Sequence, residues 1–229
     1  MEIRKTGGET YAMAYVLFEN GEEFIAENGS MVALSAGINI VATLDGGIGK
    51  AIGRKLFADE GFFFTKYRAD YGGSWVAVSP KYPGDIYISD LTGEEPLRVQ
   101  TGSILGYGSN IEKKVVYTGI KTALMKEGLT AFEVSGVGLA LISSYGAIEE
   151  LKLGTGQELI VDTSHLVAWS QSASLSLDIA GDIVTQALSG EGLVLKLTAT
   201  RDNSKVLLQT RSEQQLFNWI TPTRSQNQV

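Results

Sequence analysis

Apolar and polar residues alternate over runs of four to eight positions through most of the chain, as in YAMAYVLF from Tyr11, DIYISDL from Asp85 and SLSLDI from Ser174. A period of two sends successive side chains to opposite faces of a strand, so these runs predict half-buried antiparallel strands. Gly, Asn, Asp and Ser bound them, and 27 glycines with only four prolines suit many short strands joined by tight turns. Two longer charge-free stretches, Met31 to Leu44 and Val134 to Ile148, fall short of the roughly 20 residues a spanning helix needs. Gly and Ser interrupt them, and they read as buried strands.

The pattern also recurs on a longer scale. FIAENGSMVALS from Phe24, LRVQTGSILGYG from Leu97 and LIVDTSHLVAWS from Leu159 are versions of one segment. An acidic turn precedes each (GEEF at Gly21, GEEPL at Gly93, GQEL at Gly156), and a glycine that opens a hairpin follows (GFFFTKY at Gly61, GLTAFEV at Gly128, GLVLKLT at Gly192). Each hairpin is expected to return after a turn, as SWVAVSP from Ser74, GLALISS from Gly138 and KVLLQTR from Lys205. Three markers in constant order predict three modules, at about 10–83, 84–145 and 146–212, in one compact unit with a polar tail at 213–229. Between core and hairpin each module has one short helical candidate. The first, GIGKAIGRKLFADEG, puts Ile48, Ile52 and Leu56 on one face; the others are GIKTALMKEG and GDIVTQALSGEG.

Composition removes several kinds of chemistry. The 229 residues include no cysteine, which excludes disulfides, thiol nucleophiles and cysteine metal sites. The start MEIRKTGGETYAM lacks the apolar core of a secretory signal, so a cytoplasmic location is the expectation. The formal net charge of −7, with basic residues scattered apart from Lys50, Arg54 and Lys55, argues against nucleic acid as a partner. That basic segment could dock to a membrane surface or a protein partner, although a solvated helix face explains it equally well.

No catalytic constellation stands out. His165 is the single histidine, inside VDTSHLVAW, and the aligned positions hold Ser30 and Ser103. One His cannot build a multi-His metal centre, and Asp162, three residues earlier, falls on the opposite face of a strand. No metal or cofactor is therefore expected, and His165 reads as structural or interfacial, with an enzyme site around it as the alternative. The run DGGIGKAIGRK matches neither phosphate-loop nor dinucleotide fingerprints, because Ala51 follows Lys50 where Ser or Thr is required. Strand aromatics at Phe62, Phe63, Phe64, Tyr67, Trp75 and Trp169 read as core or subunit interface rather than base-stacking platforms. The acidic pairs Glu22/Glu23, Glu94/Glu95 and Glu149/Glu150 read as solvated edges.

With GDIYISDL before it and VLLQTRS after it, VDTSHLVAW resembles the bacterial and archaeal branch of the altered-inheritance-of-mitochondria (mitochondrial biogenesis) family, from about Glu9 to Ser212. The resemblance implies an all-β fold of three double-stranded β-helix-like modules in a pseudo-threefold arrangement. Each would be similar to a subunit of the trp RNA-binding attenuation protein, TRAP, and homotrimers would make a ring of nine. TRAP's ligands do not carry over, since the aligned positions differ between copies, as Asn28, Thr101 and Thr163 show. The expected function is a non-enzymatic ring-forming scaffold or binding protein, with TRAP-like RNA or small-ligand binding as an alternative. Its trimer contacts would come from YAMAYVLF, GLVLKLT and aromatics such as Trp169.

Overall fold

The computed structural model describes residues 1–43, 63–118, 130–177 and 194–221. The three helical candidates, Phe62 and the Lys50 to Lys55 cluster lie outside the described residues. The first part of the chain forms β1 (Glu2–Thr6), β2 (Met13–Leu17), β3 (Glu23–Glu27), β4 (Met31–Leu34), β5 (Ile38–Thr43), β6 (Phe64–Ala69) and β7 (Trp75–Val78). The middle forms β8 (Ile86–Thr92), β9 (Leu97–Gln100), β10 (Ile104–Gly108), β11 (Ile111–Tyr117) and β12 (Thr130–Ser143). The last part forms β13 (Ile148–Leu153), β14 (Glu158–Asp162), a 3₁₀ turn at Thr163–His165, β15 (Leu166–Ser170), β16 (Ala173–Leu177), β17 (Val194–Ala199), β18 (Ser204–Gln209) and one helix, α1 (Glu213–Ile220). The protein is nearly all-β, as the alternating pattern implied.

Strand pairing, antiparallel throughout the ladders, falls into three sets of like order. In the first, β7 lies between β2 and β4 while β6 lies between β3 and β5. In the second, the end of β12 lies between β8 and β10 and its beginning between β9 and β11. In the third, β18 lies between β13 and β15 and β17 between β14 and β16. Each set is thus two three-stranded layers facing one another. Between the layers of the first set, Ala14, Val16, Val76 and Val78 meet Phe24, Ala26 and Tyr67, and comparable buried clusters fill the other two.

The expected hairpins are corners. β6 and β7 join different sheets, as do β17 and β18, so the chain crosses from one layer to the other at each turn. In the second set no turn exists at all, and the segment expected to return from Gly138 is the far half of β12. Its pairing partners change around Gly136 and Gly138, which have φ of 112° and 148°. A methyl on Gly136 would lie 2.5 Å from the Asn110 carbonyl oxygen, so only glycine fits.

Adjacent sets are stitched edge to edge. β10 pairs with β3, matching Gly106 to Ala26 and Tyr107 to Ile25. β15 pairs with β9, matching Ala168 to Val99 and Trp169 to Arg98. A parallel bridge, Gly84 to Gly146, ties the two linkers together. The tail read as polar begins with α1, capped by the Ser212 hydroxyl, which accepts from the Gln215 amide at 3.2 Å. β1, also absent from the sequence reading, adds to the outer side of β2.

Candidate functional site

The junctions show which strand edges need cover. All five residues of β10 and all five of β15 are buried, because a neighbouring set lies against each. β4 occupies the same place in the aligned segment MVALS, yet it pairs only with β7, and its other edge meets no strand among the described residues. Val32 is 57% exposed where its counterparts Leu105 and Val167 are fully buried. At the opposite end, β14 pairs among the described residues only with β17, whereas its counterparts β3 and β9 are paired on both sides, and Ile160 is 59% exposed. This corrects two expectations. MVAL is an open edge, not a buried strand, and the outer strands YAMAYVLF and GLVLKLT are flanked on both sides, by β1 and β7 and by β14 and β16. Trp169, expected at a subunit interface, is completely buried inside the chain.

A cavity of about 310 Å³ opens where parts of all three sets converge. Glu27 at the end of β3, Lys81 and Tyr82 in the first linker, Tyr145 in the second, and Glu213 opening α1 line it. The Tyr82 and Tyr145 rings stand 5.8 Å apart at 47°, and the Lys81 ammonium lies 5.4 Å from the Tyr82 ring centre. Burial raises the Glu27 carboxyl above its ordinary range; the Lys81 charge opposes this and the Glu213 charge adds to it. Neither Tyr82 nor Tyr145 was singled out from the sequence. Their recurrence before a strand, YPGDI from Tyr82 and YGAI from Tyr145, was the available signal.

His165 lies in the 3₁₀ turn rather than on a strand, half-buried, with Nδ1 2.7 Å from the Gln209 carbonyl oxygen. A carbonyl only accepts, so Nδ1 carries the proton. The Gln209 side chain ties the same region together, accepting from the Tyr145 amide at 2.9 Å and donating to the Ser164 carbonyl at 2.9 Å. Asp162 caps the turn, accepting from the Ser164 amide and hydroxyl at 2.8 and 2.9 Å, and so does not share a strand with His165. No group of three or more His, Asp or Glu residues is arranged to hold a metal among the described residues. Phe64 and Tyr67 are core, Trp75 packs edge-on against Tyr15 at 5.4 Å, and Phe63 is partly exposed.

The acidic pairs are less solvated than expected. Glu22 binds the amino terminus at 2.6 Å and Glu23 binds Lys66 at 2.9 Å. Glu95 accepts from the Ser172 amide and pairs with Arg201. Glu150 accepts from the Tyr87 hydroxyl at 2.6 Å, and that hydroxyl accepts in turn from Lys205 at 2.8 Å. Burial pushes Tyr87 well above the usual phenol range, and the Glu150 hydrogen bond and charge push it further. Burial would also raise Glu150, but Tyr87, Lys205 and Lys152 outweigh it and leave the carboxyl below its ordinary value. Only Glu94 and Glu149 remain exposed.

Among the described residues the sheets lie in facing layers, several strands, β4 and β14 among them, pair on one side only, and a polar cavity opens where the three sets converge. The match to the Mitochondrial biogenesis AIM24 family runs over residues 3–211, and the chain belongs to that family. It is 28% identical over 192 residues to an uncharacterized protein of Streptococcus pyogenes serotype M6, covering 80% of this chain and 76% of that one. A crystal structure of a Streptococcus pyogenes protein has the same fold, with a TM-score of 0.76, 24% identity and coverage of 96% of this chain and 97% of the other. Among the described residues no helix is long and apolar enough to cross a membrane.

Proposed function

We propose that this protein is a non-enzymatic, ring-forming scaffold or binding protein, built as a homotrimer in the cytoplasm by pairing β4 of each copy with β14 of the next. The observation that carries the reading is the exposed state of β4 beside the buried state of β10 and β15. Apolar strand edges left open are templates for pairing with another chain, and repeat arrays need a cap or a neighbour at each end. Carrying over the register of the two internal junctions gives a specific pairing: Ala33 with Val161, Leu34 with Ile160 and Ser35 with Leu159 of the next copy. Three like pairing sets per chain support TRAP-like modules, of which a trimer would close nine into a ring. Heterologous contacts of this kind stay finite only when the rotation closes.

The test is absolute mass by light scattering on a sizing column, with Val32→Asp and Ile160→Asp beside the wild type. The wild type should run at three times the 24.6 kDa protomer mass. Both side chains are exposed in the single chain, so each variant should keep its circular dichroism spectrum yet run as a monomer. A wild type that is monomeric across micromolar concentrations, or variants that assemble as well as the wild type, would refute the reading.

A further inference from the structure

We propose that the cavity between Glu27, Tyr82, Tyr145 and Glu213 binds an organic cation, a primary ammonium or guanidinium group on a short aliphatic stem. The inference goes beyond the assembly reading and does not depend on it. Glu27 is the starting point. Its side chain is half-buried on the cavity wall, and no described residue donates a hydrogen bond to its carboxylate or forms an ion pair with it; the Lys81 charge acts on it from farther off. A half-buried carboxylate with no direct partner can still accept charge-assisted hydrogen bonds from an incoming donor cation.

Three further observations select the class of ligand. Two carboxylates outnumber the single ammonium of Lys81 in the cavity, which disfavours an anion. The tilted Tyr82 and Tyr145 rings present aromatic faces suited to a cation, and the chain's own Lys81 ammonium already rests near one of them. Lys81 is exposed, so it can swing away and yield its place. Among the described residues no group of three or more His, Asp or Glu is arranged to hold a metal. At about 310 Å³ the space is at the small end of ligand cavities, large enough for an alkyl chain of a few carbons. The raised Glu27 carboxyl agrees with this geometry, because a bound cation would hold it ionised.

The same chemistry could come from a free amine or from a Lys or Arg side chain of a partner protein, and the probes separate them. Calorimetric titrations of the full chain with n-butylammonium, methylguanidinium, putrescine, and N-acetyl-lysine and N-acetyl-arginine methylamides should show saturable binding in roughly the millimolar range or tighter. Sodium butyrate should show none. Tighter binding of the methylamides assigns the source to a partner's side chain; tighter binding of putrescine assigns it to a free amine. Glu27→Gln should weaken binding about tenfold or more, and Lys81→Gln, which removes the internal competitor, should tighten it. The Val32→Asp protein should bind as the wild type does, which keeps this result separate from assembly. No saturable binding of any cationic probe at tens of millimolar, or equal affinity in wild type and Glu27→Gln, overturns the proposal.

Discussion

Trp169 offers a test in which two opposing terms can be separated. Its indole is fully buried in the cluster with Leu166, Leu195 and Val206, directly across from Arg98 at the β9–β15 junction. Among the described residues its Nε1 has no hydrogen-bond partner. Trp169→Ala removes the whole ring system and leaves a void, at a cost of about 3–5 kcal/mol. Trp169→Phe opens a smaller void, costing about 2–3 kcal/mol by the same reasoning, but it also removes an unsatisfied buried donor whose penalty is about 1–3 kcal/mol. The two nearly cancel. The Phe variant should therefore lie within about 1 kcal/mol of wild type, a melting shift of about 2–4 °C for a chain of this size. Urea denaturation followed by far-ultraviolet circular dichroism, at one fixed protein concentration, would measure all three proteins. A Phe variant destabilised by about 3 kcal/mol or more, close to the Ala variant, would show that the indole N–H is bonded and that the accounting is wrong.

Two other predictions follow from named contacts. Burial raises the Glu27 carboxyl, so the fold favours its neutral form: this contribution to stability is present below the ordinary carboxylate range and is lost as pH rises through the elevated value. Glu27→Gln should accordingly melt higher than wild type near pH 7 and no higher near about pH 4, and equal melting temperatures at both pH values would count against a desolvated carboxylate. At the β3–β10 junction, a methyl on Gly106 would lie 2.5 Å from Phe24 Cζ and 2.8 Å from the Ile25 carbonyl oxygen. Gly106→Ala should cost about 1–3 kcal/mol and speed amide exchange along β3 and β10, whereas unchanged exchange would mean the junction has slack.

Much of the site was hidden because it depends on residues far apart in the chain. Glu27 and Glu213 meet only through folding, and Tyr87 reaches Glu150 and Lys205 across 63 and 118 positions. Acidic pairs in turns look alike whether solvated or bonded, so Glu94 and Glu95 could not be told apart in advance. Helix α1 was legible after all: Ser212 with Gln215 three residues on is a capping signal that the polar character of the tail obscured.

Local periodicity decides a strand, because the side-chain period of two must match one wet and one dry face, and YAMAYVLF, DIYISDL and SLSLDI fold accordingly into β2, β8 and β16. The sequence by itself thus determined the all-β class, most of the strands and the family. It could not determine pairing partners. DYGGS between β6 and β7 carries the turn residues of a hairpin, yet a corner that switches sheets uses the same residues, and only the packing of two layers over one core chooses between them. The same holds for edges. MVALS, ILGYG and LVAWS are equally apolar, and what leaves Val32 in water while Leu105 and Val167 are buried is not their own composition but the presence of a preceding set of strands on one side of β10 and β15, and its absence beside β4.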